Sequence, residues 1–166
     1  NTSGTTIIKA KKSRNHTELL FKYLKLPIKI IHKKNFDLIT IKGKTKLRSL
    51  NYKIPTDISS SAFFMVLTAL AENSRLKIKN VNINPTRIGV IKILKKMGIK
   101  IKILNKKIYK GENLADLEIN SIKFLKPINC PVKLNSAAID EFMLIFLCAA
   151  KANGISYFKN LSELNE

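Results

Sequence analysis

Asp57-Ile58-Ser59-Ser60-Ser61-Ala62-Phe63-Phe64-Met65-Val66-Leu67-Thr68-Ala69-Leu70-Ala71 is followed, after Glu72-Asn73-Ser74, by Arg75-Leu76-Lys77-Ile78-Lys79-Asn80-Val81-Asn82. The first stretch opens on a residue suited to cap a helix and continues as an apolar run too long for one strand. It predicts a helix over about 58–72. The second alternates apolar residues with lysine and predicts a strand over 75–82 with one wet face. The rest of the chain alternates in the same way between the periods of helix and strand.

Upstream, Thr5 to Lys9 predicts a strand. Ser13 can cap a helix that carries Leu19, Leu20, Tyr23 and Leu24 on one side and ends at Pro27. Ile28–His32 and Asp37–Lys42 alternate around Lys33-Lys34-Asn35, a hairpin pattern. Downstream, Pro85 suits a first helical position, so a helix is expected from Asn84-Pro85 to Met97, stopping at Gly98. Strands are expected over 100–104, 107–110 and 114–120, a last helix over 137–152 and a last strand over 155–159. A shift of 80 positions lays Leu67 on Leu147, Ala69 on Ala149, Asn73 on Asn153, Lys79 on Lys159 and Asn80 on Asn160. It also lays Ser60 on Asp140, so polar residues are expected at equivalent helix N-termini, where unpaired N–H groups favour anions.

The chain has 166 residues, 45% of them hydrophobic, enough for a genuine core. No apolar run is long enough to span a bilayer, and Asn1-Thr2-Ser3-Gly4 does not start a signal peptide, so no membrane association is expected. Cys130 and Cys148, the two cysteines, have no metal-type spacing and are read as reduced thiols of a cytoplasmic protein. The net charge of +20 comes almost wholly from lysine, since Arg14, Arg48, Arg75 and Arg87 are the four arginines. The lysines are dispersed along the wet faces of strands, and Asn and Ile are also abundant. This pattern reads as compositional bias, as in an AT-rich genome. It argues against a nucleic-acid-binding module, which would need clustered cations and exposed stacking aromatics.

Four runs stand in fixed order: Ser13-Arg14-Asn15-His16-Thr17-Glu18, Asp57 to Phe64, Asn84-Pro85-Thr86-Arg87 and Ile139-Asp140-Glu141. Gly111-Glu112-Asn113-Leu114-Ala115-Asp116-Leu117 lies between the last two. As an ordered set they resemble the 3-phosphoshikimate 1-carboxyvinyltransferase family, also called 5-enolpyruvylshikimate-3-phosphate synthase. The resemblance covers nearly the whole chain. It implies an α/β (α+β) fold, an inside-out α/β barrel of repeated βαβαββ units in two domains with buried helices. It places the crossing between domains near Tyr52 to Pro55. Residues 1–54 would end the first domain and residues 55–166 would begin the second. The family's enzymes are far longer, so the chain looks like an internal fragment with both domains incomplete.

The implied reaction moves the enolpyruvyl group of phosphoenolpyruvate onto the 5-hydroxyl of shikimate 3-phosphate, with release of phosphate and no metal or organic cofactor. The resemblance makes Asp140 the catalytic base. Arg14 becomes a contact to the shikimate phosphate, where a guanidinium fork suits the anion. It places Asp57, Ser59 and Ser60 at a hinge and helix N-terminus near the cleft. Glu141 is read as a structural neighbour and His16 as a packing or capping residue, while Arg87 either faces the cleft or pairs with a carboxylate. Asn15 stands where many relatives have Asp, and Thr56 where they commonly have Gly. The family's Ser-Ala-Gln run would lie before Asn1 and its Lys-Glu-Ser-Asp-Arg run after Glu166. The isolated chain is therefore expected to be inactive and to bind shikimate 3-phosphate weakly or not at all. The full-length protein is expected to be a cytoplasmic monomer. The sister transfer to UDP-N-acetylglucosamine is the competing reading, and the Ser-Arg-x-His-Thr-Glu form favours the shikimate enzyme.

Overall fold

The structure, a computed structural model, describes residues 3–47 and 49–164. The expected outer limits at residues 1 and 166 lie outside the described residues. The fold is mixed α/β with antiparallel sheets. The chain divides into two compact units, Asn1–Ile54 with Ile108–Glu112, and Pro55–Lys107 with Asn113–Glu166.

The first unit contains β1 (Thr5–Lys11), α1 (His16–Tyr23), β2 (Ile28–His32) and β3 (Phe36–Lys42). Its sheet has the order β1-β3-β2, antiparallel throughout. Asn15, not Ser13, occupies the N-cap of α1, and it makes no side-chain capping bond. The helix also stops earlier than Pro27 suggests. Lys25 adopts φ 55°, and the N–H groups of Leu24 and Leu26 turn back onto Leu20 and Phe21. The tip of a hairpin formed by β5 (Lys100–Tyr109) and β6 (Glu112–Asn120) completes this unit. Its two-residue turn, Lys110-Gly111, has φ 49° and 89°, the pair of positive values that a tight hairpin turn of matching twist requires.

The second unit is built on α2 (Ile58–Leu70), β4 (Arg75–Asn82), α3 (Gly89–Lys96), the body of β5 and β6, and α4 (Phe142–Ala150). Asp57 caps α2, its carboxylate accepting from the Ser60 N–H at 2.8 Å. The sheet order β4-β6-β5 repeats the order of the first unit with the same succession of strand, helix, strand, strand. Before α2, Thr56 makes a parallel bridge to Val81 of β4. Its N–H and hydroxyl donate to the carbonyls of Asn80 and Lys79. A β-branched residue suits this extended position.

Three local expectations change. Asn84 to Ile88 form a turn and α3 begins at Gly89. The Asn84 side chain accepts from Thr86, and the Gly89 N–H donates to Ala137 O at 3.0 Å instead of entering a helical ladder from Pro85. The strands expected over 100–104 and 107–110 are one: Asn105, at φ 50°, lies within β5, and its amide donates to Asp116 of β6 at 2.8 Å. The last strand is a single parallel bridge between Asn129 and Tyr157.

The core gathers around α2, α3 and α4, with Met65, Ile93, Leu94, Leu117, Phe142 and Ile145 fully buried. On α2, Phe63, Phe64 and Leu67 are exposed, as is Met143 on α4. No helix among the described residues is long and apolar enough to cross a membrane.

Candidate active site

The second unit brings three of its predicted site residues to one guanidinium. Arg87 closes the turn before α3, and its Nη2 lies 2.6 Å from Ser59 Oγ, 3.2 Å from Asp57 Oδ1 and 3.5 Å from Asp140 Oδ2. Ser59 in turn donates its hydroxyl hydrogen to Glu141. Ser60 enters through its backbone, as the donor that Asp57 caps.

Local sequence explains the convergence. Asp57 and Ser59 stand where α2 starts, so their short side chains project past its first turn. Asp140 and Glu141 do not sit in the first turn of α4. They form a 3-10 turn, Ile139–Glu141, ahead of it. Ala137 is held by the Gly89 N–H, and a Cβ on Gly89 would lie 2.6 Å from Ala137 C and O. Only glycine permits this approach, which sets the backbone leading into Asp140.

Exposure separates the two acids of the Ile-Asp-Glu run. The Asp140 side chain is 41% exposed, whereas Glu141 is buried at 2%. Burial pushes the Glu141 carboxyl above its ordinary value; the Ser59 hydrogen bond opposes this and the nearby Asp140 charge adds to it. Burial raises the proton affinity of Glu141, whereas Asp140 stands open to solvent beside the Arg87 guanidinium. Among the described residues, no group of three or more His, Cys, Asp or Glu side chains is arranged to hold a metal ion.

Arg14 stands in the first unit, exposed, in the loop between β1 and α1. It precedes the helix rather than occupying its first turn. His16 packs α1 onto the hairpin tip within that unit: its Nδ1 lies 2.5 Å from Glu112 Oε1. The Gly111 to Leu117 run carried no signal for this partner beyond the bare presence of an acid. The sequence leaves Arg87 undecided because the turn that aims it depends on Ala137, far along the chain.

The family model described as EPSP synthase (3-phosphoshikimate 1-carboxyvinyltransferase) matches residues 1–166. The chain belongs to the EPSP synthase family. Among EPSP synthase relatives, the 3-phosphoshikimate 1-carboxyvinyltransferase of Hydrogenovibrio crunogenus is 42% identical over 161 residues, covering 96% of this chain and 36% of that protein. The enzyme of the same name from Ruthia magnifica is 41% identical over 162 residues, with 97% and 36% covered. A solved EPSP synthase from Acinetobacter baumannii superposes with a TM-score of 0.80 at 38% identity, covering 92% of this chain and 34% of that one. The chain thus spans about a third of the length of the EPSP synthases it matches.

Proposed function

We propose that this chain is part of an enzyme that transfers the enolpyruvyl group of phosphoenolpyruvate to the 5-hydroxyl of shikimate 3-phosphate. The observation that carries the reading is the family match along the whole chain, joined to an accessible aspartate, Asp140, beside a guanidinium. The names of the family and of its relatives favour the shikimate enzyme over the UDP-N-acetylglucosamine enzyme.

In this reading Asp140 accepts the proton of the 5-hydroxyl as its oxygen bonds to C2 of phosphoenolpyruvate. C3 gains a proton from a second acid, giving a tetrahedral adduct. Loss of a proton from C3 and departure of phosphate from C2 restore the double bond. Arg14 faces the shikimate phosphate. Asp57, Ser59 and Ser60 hold the start of α2 beside the cleft. The two compact units correspond to the end of one domain and the start of the next in an inside-out barrel. The enzyme is a monomer of the cytoplasm that takes small anionic substrates, with no nucleic acid as partner.

The test is a chimera in which residues 1–166 replace the matching segment of the Hydrogenovibrio crunogenus enzyme. Growth rescue of a strain lacking the shikimate transferase, abolished by Asp140→Ala, is expected. A folded chimera without activity would overturn the reading. The 166-residue chain alone is expected to be inactive.

A further inference from the structure

We infer that Arg87 is a positioning residue for Asp140, helping to hold the base in place without touching either substrate. This rests on the functional reading above. The Arg87 side chain is 17% exposed, while Asp57 and Asp140 are 49% and 41% exposed. The guanidinium is thus more buried than the carboxylates of Asp57 and Asp140, which are open to solvent. A substrate approaching Asp140 meets the aspartate first.

One Nη2 serves partners from two separate parts of the chain, Asp57 and Ser59 at the start of α2 and Asp140 in the 3-10 turn. Its tightest contact goes to the serine hydroxyl at 2.6 Å, and Asp140 stands farther off at 3.5 Å. That spacing matters chemically. A close bidentate pair would occupy the carboxylate oxygens and make Asp140 a poor proton acceptor. At the edge of hydrogen-bond range the cation supplies charge and holds the side chain without a close bidentate pairing. Two carboxylates, Asp57 and Asp140, share this guanidinium, so its charge offsets the repulsion between them. Two residues on, the Gly89 N–H holds Ala137 O. The same short turn thus grips the Asp140 segment twice, by side chain and by backbone.

The experiment uses the chimera and measures steady-state kinetics against both substrates. Arg87→Ala is expected to lower kcat about 100-fold, with both KM values changed less than about threefold, since a small misplacement of a reacting group costs that much. Added guanidinium ion is expected to restore part of the rate. Arg87→Lys, which keeps the charge but not the fork, is expected to lose about tenfold in kcat. A tenfold or larger rise in either KM with kcat retained would make Arg87 a substrate contact and overturn the inference, as would an unchanged kcat. If Arg87→Ala does not fold, Arg87→Lys decides by the same criteria. An inactive but folded parent chimera is a different result, since it removes the functional reading before any variant is compared.

Discussion

At the scale of single residues, Gly89 and Glu141 carry the sharpest consequences. A methyl on Gly89 would meet Ala137 C and O at 2.6 Å and Ala138 Cβ at 2.8 Å, all of them backbone or short side chain that cannot swing aside. Gly89→Ala is expected to destabilise the chain by about 1–3 kcal/mol in urea unfolding, the usual cost of overpacking. In the chimera it is expected to lower kcat as well, because the displaced segment leads into Asp140. Glu141 acts through pH. Its folded-state proton affinity is raised above the ordinary value of 4.5, so the folded chain holds that proton more tightly than the unfolded chain. Its contribution to stability is complete below that ordinary value and declines as pH climbs through the raised one. Glu141→Gln keeps an acceptor for Ser59 and removes the ionisation. The variant is expected to gain in melting temperature over the parent as pH rises from acid to neutral, and then to hold a constant lead. An equal difference at every pH would contradict the assignment. Cys148, whose thiol burial pushes up to about 11, is expected to resist alkylation at neutral pH until the chain unfolds.

At the scale of elements, strand β6 is expected to lose stability in acid. Asn105 and the Asn80 N–H hold Asp116 below its ordinary value, and Arg75 does the same for Glu118. Groups lowered in this way stabilise the fold above their ordinary values and lose that contribution as pH falls. The double variant Asp116→Asn, Glu118→Gln is expected to lose less melting temperature than the parent between about pH 5 and about pH 3. Most elements were legible because they repeat one rule: lysine alternating with isoleucine or leucine, as in Arg75–Asn82, leaves one face for water and one for a helix. The misread boundaries share another cause. The starts of α3 and α4 depend on Gly89 meeting Ala137, and the continuity of β5 depends on Asn105 reaching Asp116. Local propensity contains no term for such distant partners. The site shows the same division. The Asp57 cap follows from its own neighbourhood, whereas the aim of Arg87 required the folded second unit. The offset of 80 is visible in the backbone too, since Asn80 and Asn160 both take left-handed conformations, at φ 53° and 56°.

At the scale of the whole molecule, the second unit leaves apolar side chains in water. Phe63, Phe64 and Leu67 of α2 are 64%, 59% and 65% exposed, and Met143 of α4 is 75% exposed. Side chains of this kind on an isolated chain bind hydrophobic dyes and promote association. The 166-residue chain is expected to enhance the fluorescence of such a dye, and Phe64→Gln with Leu67→Gln to reduce the signal without loss of helix by circular dichroism. An unchanged signal would show that these side chains are covered in solution. A separate consequence follows from the hairpin tip Ile108–Glu112, which belongs to the first unit although both its arms belong to the second. Its Gly111 packs against Leu19 O, its Glu112 pairs with His16, and its Tyr109 ring lies 5.5 Å from Tyr52. A genetic crossover at the single joint between Ile54 and Pro55 would therefore pair the first unit of one parent with a foreign fingertip. Recombinants that inherit the first unit intact need three breakpoints, at 54/55, 107/108 and 112/113, and libraries shuffled at the first joint alone are expected to favour parents that agree at His16 and Tyr52.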